Sequence, residues 1–260
     1  MKFLKTANYA EMSLAGAVII HEDVVAKLSQ GEPFRLGLAT GNTMIELYRI
    51  LAEMFNDEKL DLSLLSTWNL DEYSVNENTA VPHNHPLSYW RYMHENFFSL
   101  LSPSLGFQEG NAHFPNPAAP AAYDTALEAV GGLDLQLLGI GFNGHIAFNE
   151  PEPDCAPAAF ALRPTRALRL TQETIAQNTA VTANGDETLV PHFAATMGMK
   201  LILSSRRALL LACFREQQKP LRQMLAMQAP SPALPASYLL NHRDCRLIWT
   251  ADKIDLEAYS

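Results

Sequence analysis

Leu133-Asp134-Leu135-Gln136-Leu137-Leu138-Gly139-Ile140 runs without a break into Gly141-Phe142-Asn143-Gly144-His145. The first eight residues are a short, mainly apolar run ended by glycines, the pattern of a strand buried on both faces. Upstream, FRLGLA (34–39) is a second such run. It passes through Thr40-Gly41-Asn42-Thr43 into a helical pattern over 44–55. LLSTWNL (64–70) is a third, followed by a polar loop, then an amphipathic helix over 88–101 and a weaker one over 118–130. Downstream, 208–214 (ALLLACF) and Cys245–Thr250 are strands, while 217–227 and Pro235–Asn241 are helices. The chain opens on a helix, Tyr9–Leu28, that stops at Gln30-Gly31. Short apolar strands alternating with helices predict an α/β fold: a mostly parallel sheet with helices on both faces, a three-layer sandwich.

The chain has 260 residues, 48% of them hydrophobic, enough for one domain over 1–260 with a substantial core. No internal repeat is evident. The least regular stretch is 151–190, which predicts a loop or lid with a short strand-like run over 167–170. The net charge of −9 and the scatter of Arg206, Arg207, Arg215 and Lys219 give no basic stripe, so no nucleic acid partner is expected. Cys155, Cys213 and Cys245 form no CxxC pair, which suits a reducing compartment. MKFLKTANYAEM has no long apolar segment and no 18-residue apolar run exists, so a cytoplasmic chain without a membrane span is expected. His83-Asn84-His85 has metal-like spacing but no third ligand of predictable placement, so no metal is expected.

In such sheets ligands sit beyond the carboxyl ends of the strands. Three segments therefore converge: Thr40 to Thr43, Asp71 to Tyr73, and 141–150. The first is a strand-to-helix turn whose backbone amides suit an anion. Its alternative is an ordinary helix cap from Thr40 or Asn42. In the second, Asp71 and Glu72 point opposite ways if the segment is extended, so only one faces the pocket. The third holds His145 and Glu150, a proton-transferring side chain with a carboxylate to orient it.

LGLATGNT, TWNLDEY, HPLSYWRYMHENFF and LLGIGFNGHIAFNEP, in that order, resemble the glucosamine-6-phosphate deaminase family, as do PHFAATMGM and PASYLLNH further on. The resemblance spans most of 36–242. It implies a Rossmann-like fold and conversion of glucosamine 6-phosphate and water to fructose 6-phosphate and ammonia, with no redox cofactor. It implies that Asp71 moves a proton between C2 and C1 of the opened sugar. His145, with Glu150 and Asn143, would open the ring. Thr40, Gly41, Asn42 and Thr43 would cradle the phosphate, Lys219 would help bind it, and Gly144 would also contact the substrate.

The chain departs from the family in four places. Asn143 stands where many members have aspartate. Ala180 stands where a phosphate-binding arginine is expected, so Arg163, Arg166 or Arg169 would substitute, Arg169 being nearest the strand. The segment 152–160 lacks the small hydroxyl and basic residues of allosterically activated members, so no such activation is expected. The loop 74–85 is longer than usual. Rival readings are a galactosamine-6-phosphate enzyme, a 6-phosphogluconolactonase and a non-catalytic sugar-phosphate sensor. Retention of Asp71, His145 and Glu150 speaks against the sensor, and the DEY and GHIAFNEP sequences speak against the lactonase. The substrate expected is a small phosphosugar; monomer and homo-oligomer both stay open.

Overall fold

The computed structural model describes residues 1–259. Seven strands form the main sheet: β1 (Lys2–Thr6), β2 (Phe34–Leu38), β3 (Leu65–Asn69), β6 (Ala112–His113), β7 (Leu135–Gly139), β10 (Arg207–Ala212) and β11 (Cys245–Thr250). Their order is β1-β11-β10-β7-β2-β3-β6, and every pairing is parallel. Four more strands, β4 (Asp71–Asn76), β5 (Thr79–Ala80), β8 (Arg166–Arg169) and β9 (Phe193–Thr196), make a small antiparallel sheet in the order β5-β4-β9-β8.

The main sheet is flanked by helices, as an α/β fold requires. Helix α1 (Tyr9–Leu28) buries Met12, Ser13, Gly16, Ala17, Ile20, His21 and Val24, one stripe at helical spacing. Its start is set by Asn8, whose side chain accepts from the Glu11 amide at 3.1 Å. Helix α2 (Ile45–Glu58) buries Leu47, Tyr48, Leu51, Ala52 and Phe55 on its inner face. The remaining helices are α3 (Tyr89–Asn96), α4 (Pro120–Ala129), α5 (Pro157–Ala161), α6 (Gln172–Val181), α7 (Met199–Ser204) and α8 (Gln218–Leu225). Pro235–Asn241 is a 3-10 helix rather than an α-helix. No described helix is long and apolar enough to cross a membrane.

Strand order positions the site. From β2 the chain steps outward through β3 to β6, whereas from β7 it steps the other way through β10 to β11, which pairs with the N-terminal edge strand β1. The direction reverses between neighbours β2 and β7, and a crevice opens where loops diverge at such a switch point. The turn after β2 holds Thr40 to Thr43, and the turn after β7 holds Gly141 to His145. Past Leu70, β3 passes directly into β4, so the polar segment read as a loop is a strand of the second sheet. The 151–190 stretch likewise contains α5, β8 and α6.

Candidate active site

A cavity of about 460 Å³ occupies the crevice. Asp71 to Tyr73 supply one wall. Asp71 lines the cavity, while Glu72 points the other way, as strand alternation demands. Glu72 accepts from the amides of Tyr73 (2.8 Å), Tyr89 (2.9 Å) and Trp90 (2.9 Å) and from Ser88 Oγ (3.0 Å). It therefore anchors the N-terminus of α3, where a carboxylate is favoured. Asp71 is buried and accepts from Thr196 Oγ1 and from the Phe148 amide at 3.3 Å. Burial pushes its carboxyl up to about 7, against the pull of these two donors, His145 and Arg166.

The loop after β7 supplies the opposite wall. His145 Nδ1 lies 2.8 Å from Asn143 Oδ1 and 3.5 Å from Glu150 Oε2. Asn143 Nδ2 donates to the same Glu150 oxygen at 2.8 Å, and Thr174 Oγ1 donates to the other at 2.5 Å. Burial raises the Glu150 carboxyl, but the hydrogen bond and charge of His145, with the Thr174 and Asn143 donors, outweigh it and hold the group at about 2. With Nδ1 engaged, Nε2 is the imidazole nitrogen left to act on a ligand. The ring fits because residue 141 is glycine: a Cβ there would stand 2.2 Å from His145 Cε1. Ala147 takes φ 56°, a left-handed conformation costly to a residue with a Cβ, and this turn aims the Phe148 amide at Asp71.

Thr40 to Thr43 close the third side, with Gly41 at φ +126°. Neither Thr40 nor Asn42 caps α2. The cap position is Met44, whose side chain makes no capping hydrogen bond; the Glu46 amide is met instead by Tyr9 Oη at 3.2 Å, and Met44 and Ile45 line the cavity at the helix start. Tyr92 Oη donates to Gly41 O at 2.7 Å and Tyr9 Oη to Asn42 O at 3.0 Å, fixing the turn from two helices.

A profile of the family described as glucosamine-6-phosphate isomerases/6-phosphogluconolactonase matches residues 7–249. The chain belongs to that family. Within it, a glucosamine-6-phosphate deaminase of Halothermothrix orenii is 36% identical over 266 residues, covering 100% of this chain and 99% of the relative. Glucosamine-6-phosphate deaminase 2 of Bacillus subtilis is 36% identical over 254 residues, covering 95% of this chain and 94% of the relative. A solved monomeric glucosamine-6-phosphate deaminase superposes with a TM-score of 0.84 at 31% identity, covering 97% of this chain and 98% of that one. The 6-phosphogluconolactonase of Leishmania guyanensis, at 17% identity and a TM-score of 0.70, covering 96% of this chain and 96% of that one, shares the fold.

Seen against the glucosamine-6-phosphate isomerase family, the expected residues divide into two groups. Asp71, His145 and Thr40 to Thr43 line the cavity, and Asn143 and Glu150 stand behind His145. Gly144, Arg169 and Lys219 do not line it. Gly144 builds the turn, its amide donating to Gly141 O at 3.0 Å, and a Cβ on it would strike Leu234 rather than a ligand. Arg169 is exposed on β8, its guanidinium 5.9 Å from the centre of the Phe193 ring. Lys219 is exposed on α8. Of the other two arginines, Arg163 is paired with Glu152 and Arg166 donates to Asn149 Oδ1 at 2.8 Å. Among the described residues, neither Lys nor Arg lines the cavity.

The sequence reading passed over several lining residues. Thr174, Asn178, Val181 and Thr182 reach the cavity from α6 and its end, and Tyr89 and Tyr92 from α3. Tyr89 and Tyr92 lie in the segment read only as an amphipathic helix, and α6 lies within the stretch read as a loop or lid. Gln217 also lines it; its Nε2 donates to Ile140 O at 3.0 Å and its Oε1 accepts from the Cys213 amide at 2.8 Å, tying the end of β10 to that of β7. The HxH pair is occupied locally: His83 stacks on Trp90 at 4.0 Å, and His85 Nδ1 accepts from the Leu87 amide at 3.1 Å.

Proposed function

We propose that this chain is a glucosamine-6-phosphate deaminase, converting glucosamine 6-phosphate and water to fructose 6-phosphate and ammonia. One observation carries the reading: a buried aspartate poised near neutral pH faces a histidine with an ordered carboxylate behind it, across a cavity that the start of a helix also lines. A carboxyl near pH 7 suits proton transfer at a carbon made acidic by a neighbouring carbonyl or iminium. The full-length likeness to deaminases supports the same reading.

His145 Nε2 moves the proton between the C1 hydroxyl and the ring oxygen, which opens the pyranose. Glu150 and Asn143 hold the imidazole through Nδ1 and offset the charge it gains. Asp71 takes the C2 proton and returns it at C1, leaving a double bond between C2 and nitrogen. Water adds at C2, the C–N bond breaks, the oxygen stays as the ketone, and nitrogen leaves as ammonia. General acid–base steps of this kind contribute roughly 10²–10⁴-fold each. The phosphate rests on the turn after β2, where backbone amides and the positive end of α2 favour an anion. Lys219 adds positive potential from outside the cavity. In coarser terms the overall step is a hydrolytic deamination coupled to aldose–ketose isomerisation, performed on a phosphosugar in the cytoplasm.

The test is ammonia release from glucosamine 6-phosphate and galactosamine 6-phosphate side by side, with Asp71→Asn as control. The expected result is preference for the glucosamine substrate and loss of at least about 10²-fold in the variant. Undiminished activity in Asp71→Asn would overturn the assignment.

A further inference from the structure

Asp71, Thr196 and Arg166 form one row across the small sheet. The pairing β4–β9 sets Asp71 opposite Thr196, and β8–β9 sets Arg166 opposite the same threonine. Residues directly opposite in antiparallel strands project to one face, so Thr196 stands between the other two. It is completely buried, at 0% exposure. Its hydroxyl proton goes to Asp71 Oδ1, and its oxygen accepts from the Phe148 amide at 3.1 Å. That amide also reaches Asp71 Oδ1, at 3.3 Å. Both donors therefore converge on the same carboxylate oxygen. Among the described residues no donor lies within hydrogen-bonding distance of Oδ2.

We infer that Thr196 is a positioning residue, fixing Oδ1 of Asp71 so that Oδ2 alone is presented to the substrate as the oxygen that moves the C2 proton. The inference rests on the deaminase reading for its activity arm only. A carboxylate on a single Cβ–Cγ axis can turn until either oxygen faces the cavity. Two donors on Oδ1 remove that freedom, and proton transfer at carbon depends steeply on such orientation. Burial disfavours the anion, and the Thr196 hydroxyl is a donor that favours it. The charged groups facing Asp71 are His145, from the loop after β7, and Arg166 from β8; the phenols of Tyr73, Tyr89 and Tyr123 also stand near. Arg166 is itself held by Asn149, whose Nδ2 donates to Met197 O at 2.9 Å, so the row continues into the loop that carries His145.

Thr196→Val keeps the shape and removes the hydroxyl; Thr196→Ser restores it. Full-length protein is assayed for kcat and KM, and the Asp71 carboxyl is titrated by carbon-13 NMR, assigned by its absence in Asp71→Asn. The valine protein is expected to lose about ten- to hundredfold in kcat, the worth of a hydrogen bond to a charged group, with KM within about threefold. Its Asp71 titration moves to higher pH, and serine returns both readings to within about threefold and to the original midpoint. If the valine protein does not fold, Thr196→Ala takes its place. An unmoved titration, or an unchanged kcat, overturns the inference. If the wild type releases no ammonia, the deaminase reading fails, and the titration alone decides the role of Thr196.

Discussion

Replacing Gly141 by alanine tests whether the imidazole must sit where it does. The added methyl would lie 2.2, 2.3 and 2.4 Å from Cε1, Nε2 and Nδ1 of His145. Non-bonded heavy atoms rest at roughly 3.5–4.0 Å, so the ring must retreat by more than ~1 Å. It cannot retreat and keep its 2.8 Å contact with Asn143. Residue 141 is not one of the positive-φ positions, so alanine brings no backbone strain of its own and the clash is the whole perturbation. A misplacement of about 1 Å costs on the order of 10² in rate, about 2.7 kcal/mol of barrier. The expected result is a protein that melts within a few degrees of the wild type and releases ammonia about 10²-fold more slowly. A folded Gly141→Ala protein with activity within about threefold of the wild type would refute the claim that His145 works from this position.

Two further outcomes follow from charge and burial. Asp71 is raised from 3.8 to about 7 in the folded protein, so its contribution is fully present below about pH 4 and is lost as pH rises through 7. Asp71→Asn escapes that loss, by up to about 4 kcal/mol. Its melting temperature relative to wild type should climb between pH 4 and pH 8, and a pH-independent difference would contradict the burial argument. Glu150 behaves oppositely: held at about 2 against 4.5, its contribution is present above pH 4.5 and fades towards pH 2. Thr174→Val removes one donor to this carboxylate and should cost roughly 1.5–3 kcal/mol at pH 6, shrinking as pH approaches 2 in urea titrations; an equal loss at both pH values would count against it.

What could be read from the sequence follows from how each element buries itself. The strands β2, β3, β7, β10 and β11 are short apolar runs in the middle of a parallel sheet, and each was visible as such. The edge strand β1 (KFLKT) is mostly solvent-exposed and shows no such run. Strand β4 (DEYSVN) is polar, yet its first four residues are buried, because Glu72 and Asp71 find partners in other elements that no local pattern reveals. Helix α6 (QETIAQNTAV) buries only Thr174 and Ile175 and so carries little periodicity. Alternation correctly separated Asp71 from Glu72. Thr196 could not be found in the same way: a threonine in FAAT has no signature until β9 sets it between β4 and β8.

The two side chains proposed to move protons are carried by different sheets, Asp71 by the small one and His145 by the loop that ends β7 of the large one. The segment 141–150 is stitched to both, through the end of β7 and through Phe148 and Asn149 to β9. A residue inserted there would throw acid and base out of step together. The hairpin tip at 77–78 is exposed and shares none of these bonds. Length variation can therefore accumulate at this tip, while the tether between the two sheets stays the same length.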